Sequence, residues 1–330
     1  TVCGIALEPN TQPSIFEQIG LRQRLEHHLQ DIREGGATGE IVRRFRPDFV
    51  FHLAAQPLVR LSYERPVETW ETNVLGAIHI LESLRLLDHP CAAVFVTTDK
   101  CYENREWLYA YREMDAMGGH DPYSSSKGAA EIAIAAWRRS FLHSGPVRVA
   151  SARAGNVIGG GDWALDRIVP DAMRALSKGE SIPVRNPNST RPWQHVLEPL
   201  SGYLWLAALM AGAESDQPGR YCDAFNFGPR LESNRNVAAL VTEILKHRPG
   251  QWASLASPGA PHEAALLNLS IEKAFHLLKW SPAWNFEETI AQTAAWYFQD
   301  NMEAAAETTR SQIAAYTGAA AKAGIAWAVS

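Results

Sequence analysis

Two short segments of this chain carry side chains that can move protons. Thr97-Thr98-Asp99-Lys100 ends an apolar, strand-like run, and Tyr123 and Lys127 form a Tyr-x-x-x-Lys pair further along. On a helix this spacing puts the phenol and the ammonium on one face, one turn apart. A cation beside a phenol favours the phenolate, so a tyrosine with a reference pKa of about 10 can act as a base near neutrality. The two segments together predict an active site.

Each of these residues also has a plainer interpretation. Tyr-x-x-x-Lys alone recurs by chance on solvated helices. Thr98 and Asp99 at the carboxyl end of a strand could cap a helix or form a turn, and Lys100 could be a solvated loop lysine. The coupling of a Thr-Thr-Asp strand end to a Tyr-x-x-x-Lys helix favours catalysis over these alternatives.

The chain contains no Gly-x-x-Gly-x-x-Gly turn of the kind that seats a dinucleotide pyrophosphate on a helix N-terminus. Gly159-Gly160-Gly161 lies far downstream and follows a different strand. Residue 1 is Thr, and residues 2–7 are typical of a second strand. We therefore expect the chain to begin after a first strand, a glycine loop and a helix. The alternative is a native start that lacks such a loop.

Bulk properties exclude several classes of protein. With 330 residues and 46% hydrophobic content, the chain can bury a large core in one large or two modest domains. A net charge of -5 with interspersed signs argues against nucleic acid as the main partner. The scattered residues Cys3, Cys91, Cys101 and Cys222 predict reduced thiols in a cytoplasmic protein, with no metal site. No apolar run approaches a membrane span of about 20 residues, and no signal peptide is visible, so no membrane partner is expected.

The apolar pattern predicts an α/β fold. Residues 49–55 and 93–98 are typical of strands in a parallel sheet covered on both faces, and a helix is predicted between them from 66 to 84. A further helix follows Tyr123, and residues 147–153 form the next strand. This alternation indicates a doubly wound (Rossmann-like) parallel sheet.

The later part of the chain is less regular and predicts a smaller, mixed α/β substrate lobe. Helices are expected at 168–176, 198–213 and 237–245. We assign 1–160 to a dinucleotide-binding domain to which later segments return, 161–315 mainly to the substrate-binding lobe, and 316–330 to a loosely held tail. The tail is expected because Gly318 and Gly324 interrupt an Ala-rich stretch.

At this point the residues resemble a known family. The chain resembles the extended short-chain dehydrogenase/reductases and, within them, the CDP-glucose 4,6-dehydratases of deoxysugar biosynthesis, from about residue 4 to about residue 316. The most specific stretches are residues 6–9, 97–104, 121–127 and 191–200. In the last one, Arg191-Pro192-Trp193 stands where related epimerases and dTDP-sugar dehydratases usually carry Arg-Asp-(Trp/Phe). Lys100 stands where dTDP-glucose dehydratases usually carry Glu.

The resemblance implies a reaction and a role for each catalytic residue. NAD-dependent oxidation at C4 of CDP-glucose is followed by loss of water across C5 and C6 and return of hydride to C6. Tyr123 removes the C4 hydroxyl proton, Thr98 hydrogen-bonds the C4 oxygen, and Lys127 holds ribose hydroxyls and lowers the pKa of Tyr123. Asp99 is the candidate acid at C6. Lys100 is either a neutral base for C5 in a dry pocket, which we favour, or a cation that stabilises the enolate.

The resemblance also implies contacts with NAD and with the nucleotide sugar. The candidate cofactor-binding residues follow strands or lie on the two neighbouring helices: Asp31, Ile32, Leu53, Ala54, Ala55, Gln56, Asn73, Thr97, Tyr123 and Lys127. The candidate substrate-binding residues are Asn156, near the end of the first domain, and Arg191, His195 and His262 of the second lobe. Asp31 could instead be a surface loop residue, and His195 could be packing. A homodimer is expected through a four-helix interface formed by the helix at 66–84 and the helix after Tyr123.

Two rival functions stay open. The chain could be another sugar-nucleotide dehydratase or 4-epimerase on the same scaffold. It could also be a non-catalytic relative that binds sugar nucleotides, an interpretation that only the absent glycine loop supports.

Overall fold

The computed structural model describes residues 1–212, 217, 219–255, 266–299 and 304–329. The strands are β1 Cys3–Ala6, β2 Glu26–Leu29, β3 Phe49–His52, β4 Cys91–Val96, β5 Val147–Ala154, β6 Val157–Ile158, β7 Ile182–Val184, β8 Thr190–Pro192, β9 Gln194–His195, β10 Ala224–Phe227, β11 Asn234–Asn236 and β12 Trp252–Ser254. The α-helices are α1 Ile15–Gln18, α2 Gly35–Phe45, α3 Val59–Glu64, α4 Pro66–Trp70, α5 Gly76–Arg85, α6 Pro122–Ser140, α7 Ile168–Ser177, α8 Leu197–Ala211, α9 Val237–His247, α10 Phe286–Tyr297, α11 Ala305–Lys322 and α12 Ala326–Val329.

A four-stranded parallel sheet in the order β10-β5-β4-β3 organises the molecule. β1 and β2 form a separate parallel pair, and within the described residues no hydrogen-bonded ladder joins it to the larger sheet. Helices alternate with the strands along the chain, as a parallel sheet requires. The predicted doubly wound α/β fold is confirmed.

Strand β4 shows why both faces of this sheet are covered. Ala93 and Phe95 point to one side, where they pack with Ile80, Leu81 and Leu84 of α5 and with Ile134 of α6. Ala92 and Val94 point to the other side, where they pack with α8. Because alternate residues face opposite sides, a strand that is apolar at every position must be buried on both faces.

The predicted helix at 66–84 is interrupted by a π-helical turn. α4 and α5 are joined by a π-helical turn at Glu71–Leu75 that includes the buried Asn73. Gly76 follows it and lies against Ile32, where an added Cβ would come within 2.5 Å of the Ile32 Cδ1 atom. The turn therefore places Asn73 at the active-site end of the sheet while the helix stays close to the end of β2.

The second lobe contains α7, α9 and α10 around a shared apolar cluster, with the short pairs β6-β9, β7-β12 and β8-β11. The predicted helices at 168–176, 198–213 and 237–245 correspond to α7, α8 and α9. β10, from the later part of the chain, pairs in parallel with β5 of the central sheet. The division at residue 160 stays a prediction.

The C-terminal segment corrects the prediction of a loose tail over 316–330. Residues 305–322 form α11, in which Tyr316 and Ala320 are buried. The Tyr316 hydroxyl donates a hydrogen bond of 2.6 Å to Glu198 Oε2 on α8. Alanine has the highest helix propensity, and Gly318 faces open space, so the glycine does not prevent the helix from docking.

Among the described residues, no helix has both the length and the apolar character needed to cross a lipid bilayer.

Candidate active site

The first predicted catalytic segment is a tight turn at the end of β4. Thr97 extends the pairing with β5 through its N–H, which donates to the Ala152 carbonyl at 2.8 Å. A 3-10 turn, Asp99–Cys101, follows at once, and the Thr98 hydroxyl oxygen accepts from the Lys100 N–H at 3.3 Å. Thr98 is thus a cap, as its plainer interpretation predicts, and it also lies buried inside the crevice.

Asp99 is fully buried and only half satisfied. Its Oδ1 accepts from the Thr98 hydroxyl at 2.9 Å and lies 3.7 Å from Lys100 Nζ. Its Oδ2 has no hydrogen-bond partner within the described residues. A Cβ added to Gly155 would come 3.3 Å from this Oδ2 and 2.8 Å from Pro192 Cγ, so glycine leaves room there. A buried carboxyl oxygen without a partner is free to meet a substrate hydroxyl.

The second predicted catalytic segment is the start of α6, which is held from two sides. Asp121 caps the helix by accepting from the Ser124 N–H at 2.9 Å. The Tyr123 N–H donates instead to the hydroxyl of Ser62 on α3, at 3.2 Å. Because the first N–H groups of a helix have no partners within it, these two caps fix where Tyr123 and Lys127 stand.

The electrostatic environment of Tyr123 differs from the prediction. Burial raises the pKa of Tyr123 above its ordinary value, the Asp99 charge adds to this, and the nearby Thr98 hydroxyl and Arg167 oppose it. The sequence predicts a lowered pKa. In the protein alone, the loss of hydration of the phenolate outweighs the attraction of the cations. The closeness of Thr98, Asp99 and Tyr123, which the sequence predicts, is present.

Lys127 is buried, and its ammonium makes no hydrogen bond or ion pair with any described residue. Burial lowers the pKa of Lys127 to about 8, while Glu131 and Cys101 act to raise it. A buried ammonium without a partner is costly unless a ligand supplies acceptors. The ribose hydroxyls of a dinucleotide are acceptors of this kind, so the residue fits the predicted cofactor.

Asn73 ties the end of β3 to the catalytic helix. Its Oδ1 accepts from the Gln56 N–H at 2.8 Å, and its Nδ2 donates to the Gln56 carbonyl at 3.1 Å and to Ser126 Oγ at 2.9 Å. The predicted cofactor-binding stretch 53–56 is therefore anchored to α6. Within it Leu53 is exposed, and Ala54 and Ala55 are half-buried.

A cavity of about 440 Å³ opens beside the end of β1, between Pro57-Leu58 and the loop at 161–167. It lies beyond the carboxyl ends of parallel strands, where open α/β sheets bind ligands. Asp31 does not line it, and its carboxylate is engaged by Arg33 through two side-chain bonds and a backbone N–H. An adenine contact by Asp31 and Ile32 stays a prediction.

Of the predicted substrate residues, Asn156 and Arg191 fit a role in binding a ligand, whereas His195 packs in the core. Asn156 Oδ1 is buried and lacks a hydrogen-bond partner among the described residues, and Arg191 is buried with Nη1 donating to the Thr190 carbonyl at 2.8 Å. His195 lies in the core: its Nδ1 accepts from the Leu197 N–H at 3.3 Å, and its ring meets Trp284 edge to face. Burial lowers the pKa of His195 to about 4, so it is neutral. His262 lies outside the described residues.

One cluster has the residue types of a metal site. The ligand atoms of Cys3, Glu26 and His28 lie within 4.8 Å of one another on β1 and β2. Sequence spacing did not reveal it, because the strands bring these residues together. The Arg44 guanidinium approaches both Glu26 Oε1 and His28 Nε2, at 3.4 Å and 3.3 Å. A cation already among the ligands disfavours a second one, so we assign no metal.

Comparison with known proteins identifies the family. The model of the GDP-mannose 4,6 dehydratase family matches residues 10–293. The chain belongs to this family. The curated CDP-glucose 4,6-dehydratase of Salmonella typhimurium strain LT2 is 45% identical over 303 residues, covering 90% of this chain and 83% of that protein. A dTDP-glucose 4,6-dehydratase of Xanthomonas campestris pv. campestris is 26% identical over 290 residues, or 81% of this chain and 77% of that protein.

Two solved structures share the fold of this chain. UDP-glucose 4-epimerase from Thermotoga maritima, in complex with UDP-glucose, superposes with a TM-score of 0.72 at 21% identity, over 94% of this chain and 92% of that one. A dTDP-glucose 4,6-dehydratase from Bacillus anthracis, in complex with NAD, gives 0.72 at 18% identity, over 90% and 88%. At such identities these likenesses show the fold alone. The resemblance drawn from the sequence motifs is confirmed.

Sequence reasoning missed several members of this family site. Glu131 and Arg153 form a buried ion pair of 2.8 Å beneath Lys127 and the end of β4. Arg153, between Ala152 and Ala154 of β5, was the available signal, because a charged residue is rarely buried without a partner. Ser62 carried no signal, since its role depends on α3 meeting α6.

Proposed function

We propose that this chain converts CDP-glucose to CDP-4-keto-6-deoxyglucose with bound NAD, releasing one water across C5 and C6. The observation that carries the proposal is the convergence of Thr98, Asp99 and Tyr123 in one buried crevice. The chain in which this occurs is 45% identical to a CDP-glucose 4,6-dehydratase. Bound NAD supplies a hydride acceptor for C4 and a hydride donor for C6, and so is regenerated in each turnover.

The residues that would hold NAD lie at the carboxyl ends of the strands. Lys127 offers an ammonium to ribose hydroxyls, and Thr97 and the backbone of 53–56, which follow β4 and β3, are further candidates for cofactor contacts. Asp31 is the candidate for the adenine end. The unpartnered ammonium of Lys127 supports this assignment for the ribose at the nicotinamide end.

Tyr123 is the proposed base for the C4 hydroxyl proton. Its phenol is protonated in the protein alone, since burial raises its pKa. Lys127 stands one helical turn away, and its charge becomes effective on the phenol once water is excluded from the crevice. The Thr98 hydroxyl, beside the phenol, would hydrogen-bond the C4 oxygen as it becomes a ketone.

Asp99 is the proposed acid for the C6 hydroxyl. A ketone at C4 acidifies the C5 hydrogen, so the C6 hydroxyl can leave as water once a base takes the C5 proton and Asp99 donates to the oxygen. Asp99 is fully buried in the crevice, and its unpartnered Oδ2 is the atom available to the C6 hydroxyl of a substrate.

Lys100 has two possible roles, and the structure changes which of them we favour. Its side chain is 30% exposed and lies 3.7 Å from the Asp99 carboxylate, so it does not sit in a dry pocket. Both features argue against a base in a dry pocket, and we therefore propose that Lys100 stabilises the enolate. Solvent-deuterium wash-in at C5 tests this: Lys100→Arg keeps a cation but provides no base, and Lys100→Met keeps neither. Exchange retained in K100R supports the cation, and exchange lost in both variants restores the base role.

The experiment that tests the function offers CDP-, dTDP- and UDP-glucose separately, with NAD, and measures the 4-keto product by its alkaline absorbance. We expect product from CDP-glucose in clear excess and none from the Tyr123→Phe variant. Product mainly from another nucleotide would assign the chain to a rival dehydratase. Sugar-nucleotide binding without any product would favour the non-catalytic relative.

We also propose a homodimer. Val67, Trp70 and Leu75 are exposed on the helix formed by α4 and α5, and they border an apolar depression of about 420 Å³. Ile132 is exposed on α6. Apolar patches of this kind mark protein interfaces. Sedimentation should give a dimer that Val67→Glu with Leu75→Glu converts to monomer, and a monomeric parent protein would contradict the proposal.

The proposed compartment is the cytoplasm. Nucleotide sugars and NAD are charged molecules that do not cross membranes unaided, and all four cysteines are free thiols, as in reducing compartments.

A further inference from the structure

Glu131 lies on α6 beneath the proposed catalytic residues and bonds to two other elements of the site, the end of β4 and β5. It follows Lys127 by four residues on α6, and its side chain is 3% exposed. Its Oε1 accepts from the hydroxyl of Thr97, next to the catalytic Thr98. Its Oε2 accepts from Ser151 Oγ at 2.8 Å and from Arg153 Nη2 at 2.8 Å, both on β5. All of its bonds join α6 to the strand ends that carry the chemistry.

Arg153 extends this network to the far side of the crevice. Its Nη1 donates to the Tyr102 hydroxyl at 2.8 Å and to the Glu113 carbonyl at 3.1 Å. The Tyr102 hydroxyl donates in turn to Asn226 Oδ1 on β10, at 2.8 Å. The turn after β4, the loop that follows it and the edge strand β10 are therefore held to α6 through one buried ion pair.

The charges around Lys127 give Glu131 a second effect. β3 presents His52, whose pKa burial lowers to about 3, so it is neutral. The turn after β4 presents the Cys101 thiol, whose pKa burial raises, so it is neutral as well. On α6 itself Tyr123 is a neutral phenol in the protein alone and Glu131 is a carboxylate. Glu131 is thus the anion among the groups that face the Lys127 ammonium.

We propose that Glu131 is a positioning residue for the reaction: it locks the end of β4 against the catalytic helix and provides the buried negative charge that keeps Lys127 an ammonium. The proposal rests on the proposed function, because it assigns Glu131 its effect through Lys127 and Thr98. Arg153 is the counter-ion that makes a buried carboxylate tolerable at this point.

The decisive measurement uses the ligand-free protein, so it requires neither NAD nor turnover. Lysine side chains are labelled with 13C, the Lys127 signal is assigned by its absence in Lys127→Met, and it is titrated in the parent and in Glu131→Gln. We expect the Lys127 midpoint to fall by about one pH unit in E131Q, since the neighbouring negative charge is gone. The matched control is Glu198→Gln, the same substitution at a buried glutamate on α8, which should leave the midpoint in place.

E131Q leaves the buried Arg153 guanidinium without its counter-ion, which destabilises the fold, so a second variant is needed. The double variant E131Q/R153M removes both charges. If it is folded, its rate of C4 oxidation in an enzyme with NAD should fall about tenfold at pH values above the Lys127 midpoint, with KM for CDP-glucose little changed. Glu131→Asp, which keeps the charge, should restore the parent pH profile at a lower kcat.

Two results would overturn the proposal: a Lys127 midpoint that is the same in E131Q, E131Q/R153M and the parent, or a folded double variant whose pH–rate profile superposes on that of the parent. A parent protein with no dehydratase activity refutes the proposed function instead, and leaves the titration of Lys127 to be judged by itself.

Discussion

Two buried glutamates in this protein meet opposite electrostatic conditions. Burial acts to raise the pKa of Glu131, but Arg153 and the hydroxyl donors hold it below its ordinary value. Burial raises the pKa of Glu198 to about 7, although Tyr316 and the Ala283 and Trp284 N–H groups oppose it. Within the described residues no cation forms an ion pair with Glu198.

The comparison shows what a counter-ion adds. Hydrogen bonds from neutral donors satisfy the lone pairs of a carboxylate, yet they do not replace the hydration that burial removes. We call Glu131 with its partners Thr97, Ser151 and Arg153 the first junction, and Glu198 with its partners Ala283, Trp284 and Tyr316 the second junction. The first junction therefore keeps a fixed charge beside the proposed catalytic residues. The second junction holds the C-terminal helix α11 with a group that titrates near neutrality. We expect substitutions at the first junction to affect catalysis and substitutions at the second to affect stability.

The largest expected effect is on kcat, at Tyr123, which lies on α6 two turns before Glu131. Tyr123→Phe removes the proposed base, so kcat should fall by about 10²–10⁴ while thermal unfolding changes little. The rate of 4-keto product formation measures kcat. A folded Y123F variant with the kcat of the parent would show that Tyr123 is not the base.

The next effect is the pH dependence of stability at Glu198. Because folding raises its pKa from 4.5 to about 7, its stabilising contribution is present below the unfolded pKa and is lost as the pH rises through the folded one. Over this window the free energy of unfolding should decline by up to about 3 kcal/mol. Glu198→Gln removes the titrating group and should flatten that decline.

Denaturant unfolding of the parent and E198Q at pH 5 and pH 8 measures this difference. Glu131 has the opposite effect on the pH dependence of stability. Its pKa is lowered by folding, so the stability that it contributes is lost as the pH falls. If the free energy of unfolding of E198Q falls as steeply between pH 5 and pH 8 as that of the parent, the titrating group is a different residue.

A third prediction compares one glycine from each region. Gly155→Ala adds a Cβ 2.8 Å from Pro192 and 3.3 Å from Asp99 Oδ2, so it should destabilise the protein by about 1–3 kcal/mol and lower kcat by displacing Asp99. Gly318→Ala on α11 meets open space and should stabilise the protein by about 0.5–1 kcal/mol. Unfolding curves and product assays of both variants test this, and equal effects would mean that packing at Gly155 is not tight.

The two regions also differ in how far the sequence could predict them. The closeness of Thr98, Asp99 and Tyr123 could be predicted because a strand end and a helical spacing fix their positions locally. The Glu131–Arg153 pair was missed because it depends on α6 crossing β5, which no local pattern reports. The docking of Tyr316 was missed for the same reason: the glycines near it favoured a loose segment, and one long-range bond to Glu198 reverses that expectation.

A smaller change of stability with pH than at Glu198 is expected for Tyr316, where the comparison becomes sharpest. Its hydroxyl donates to Glu198 Oε2 at 2.6 Å and lies 3.0 Å from Ser201 Oγ. Tyr316→Phe removes a donor that stabilises the carboxylate more than the carboxylic acid. The loss should be about 1 kcal/mol at pH 5 and should rise to about 1.5–3 kcal/mol at pH 8, where the acceptor is charged.

Denaturant unfolding at both pH values measures the loss in Y316F, and the 4-keto product assay should show unchanged kcat. A cost that is equal at pH 5 and pH 8 would mean that Glu198 does not change its charge between them. In that case the contrast between the two glutamates would rest on hydrogen bonding alone, and the counter-ion at Glu131 would lose its significance as the feature that separates them.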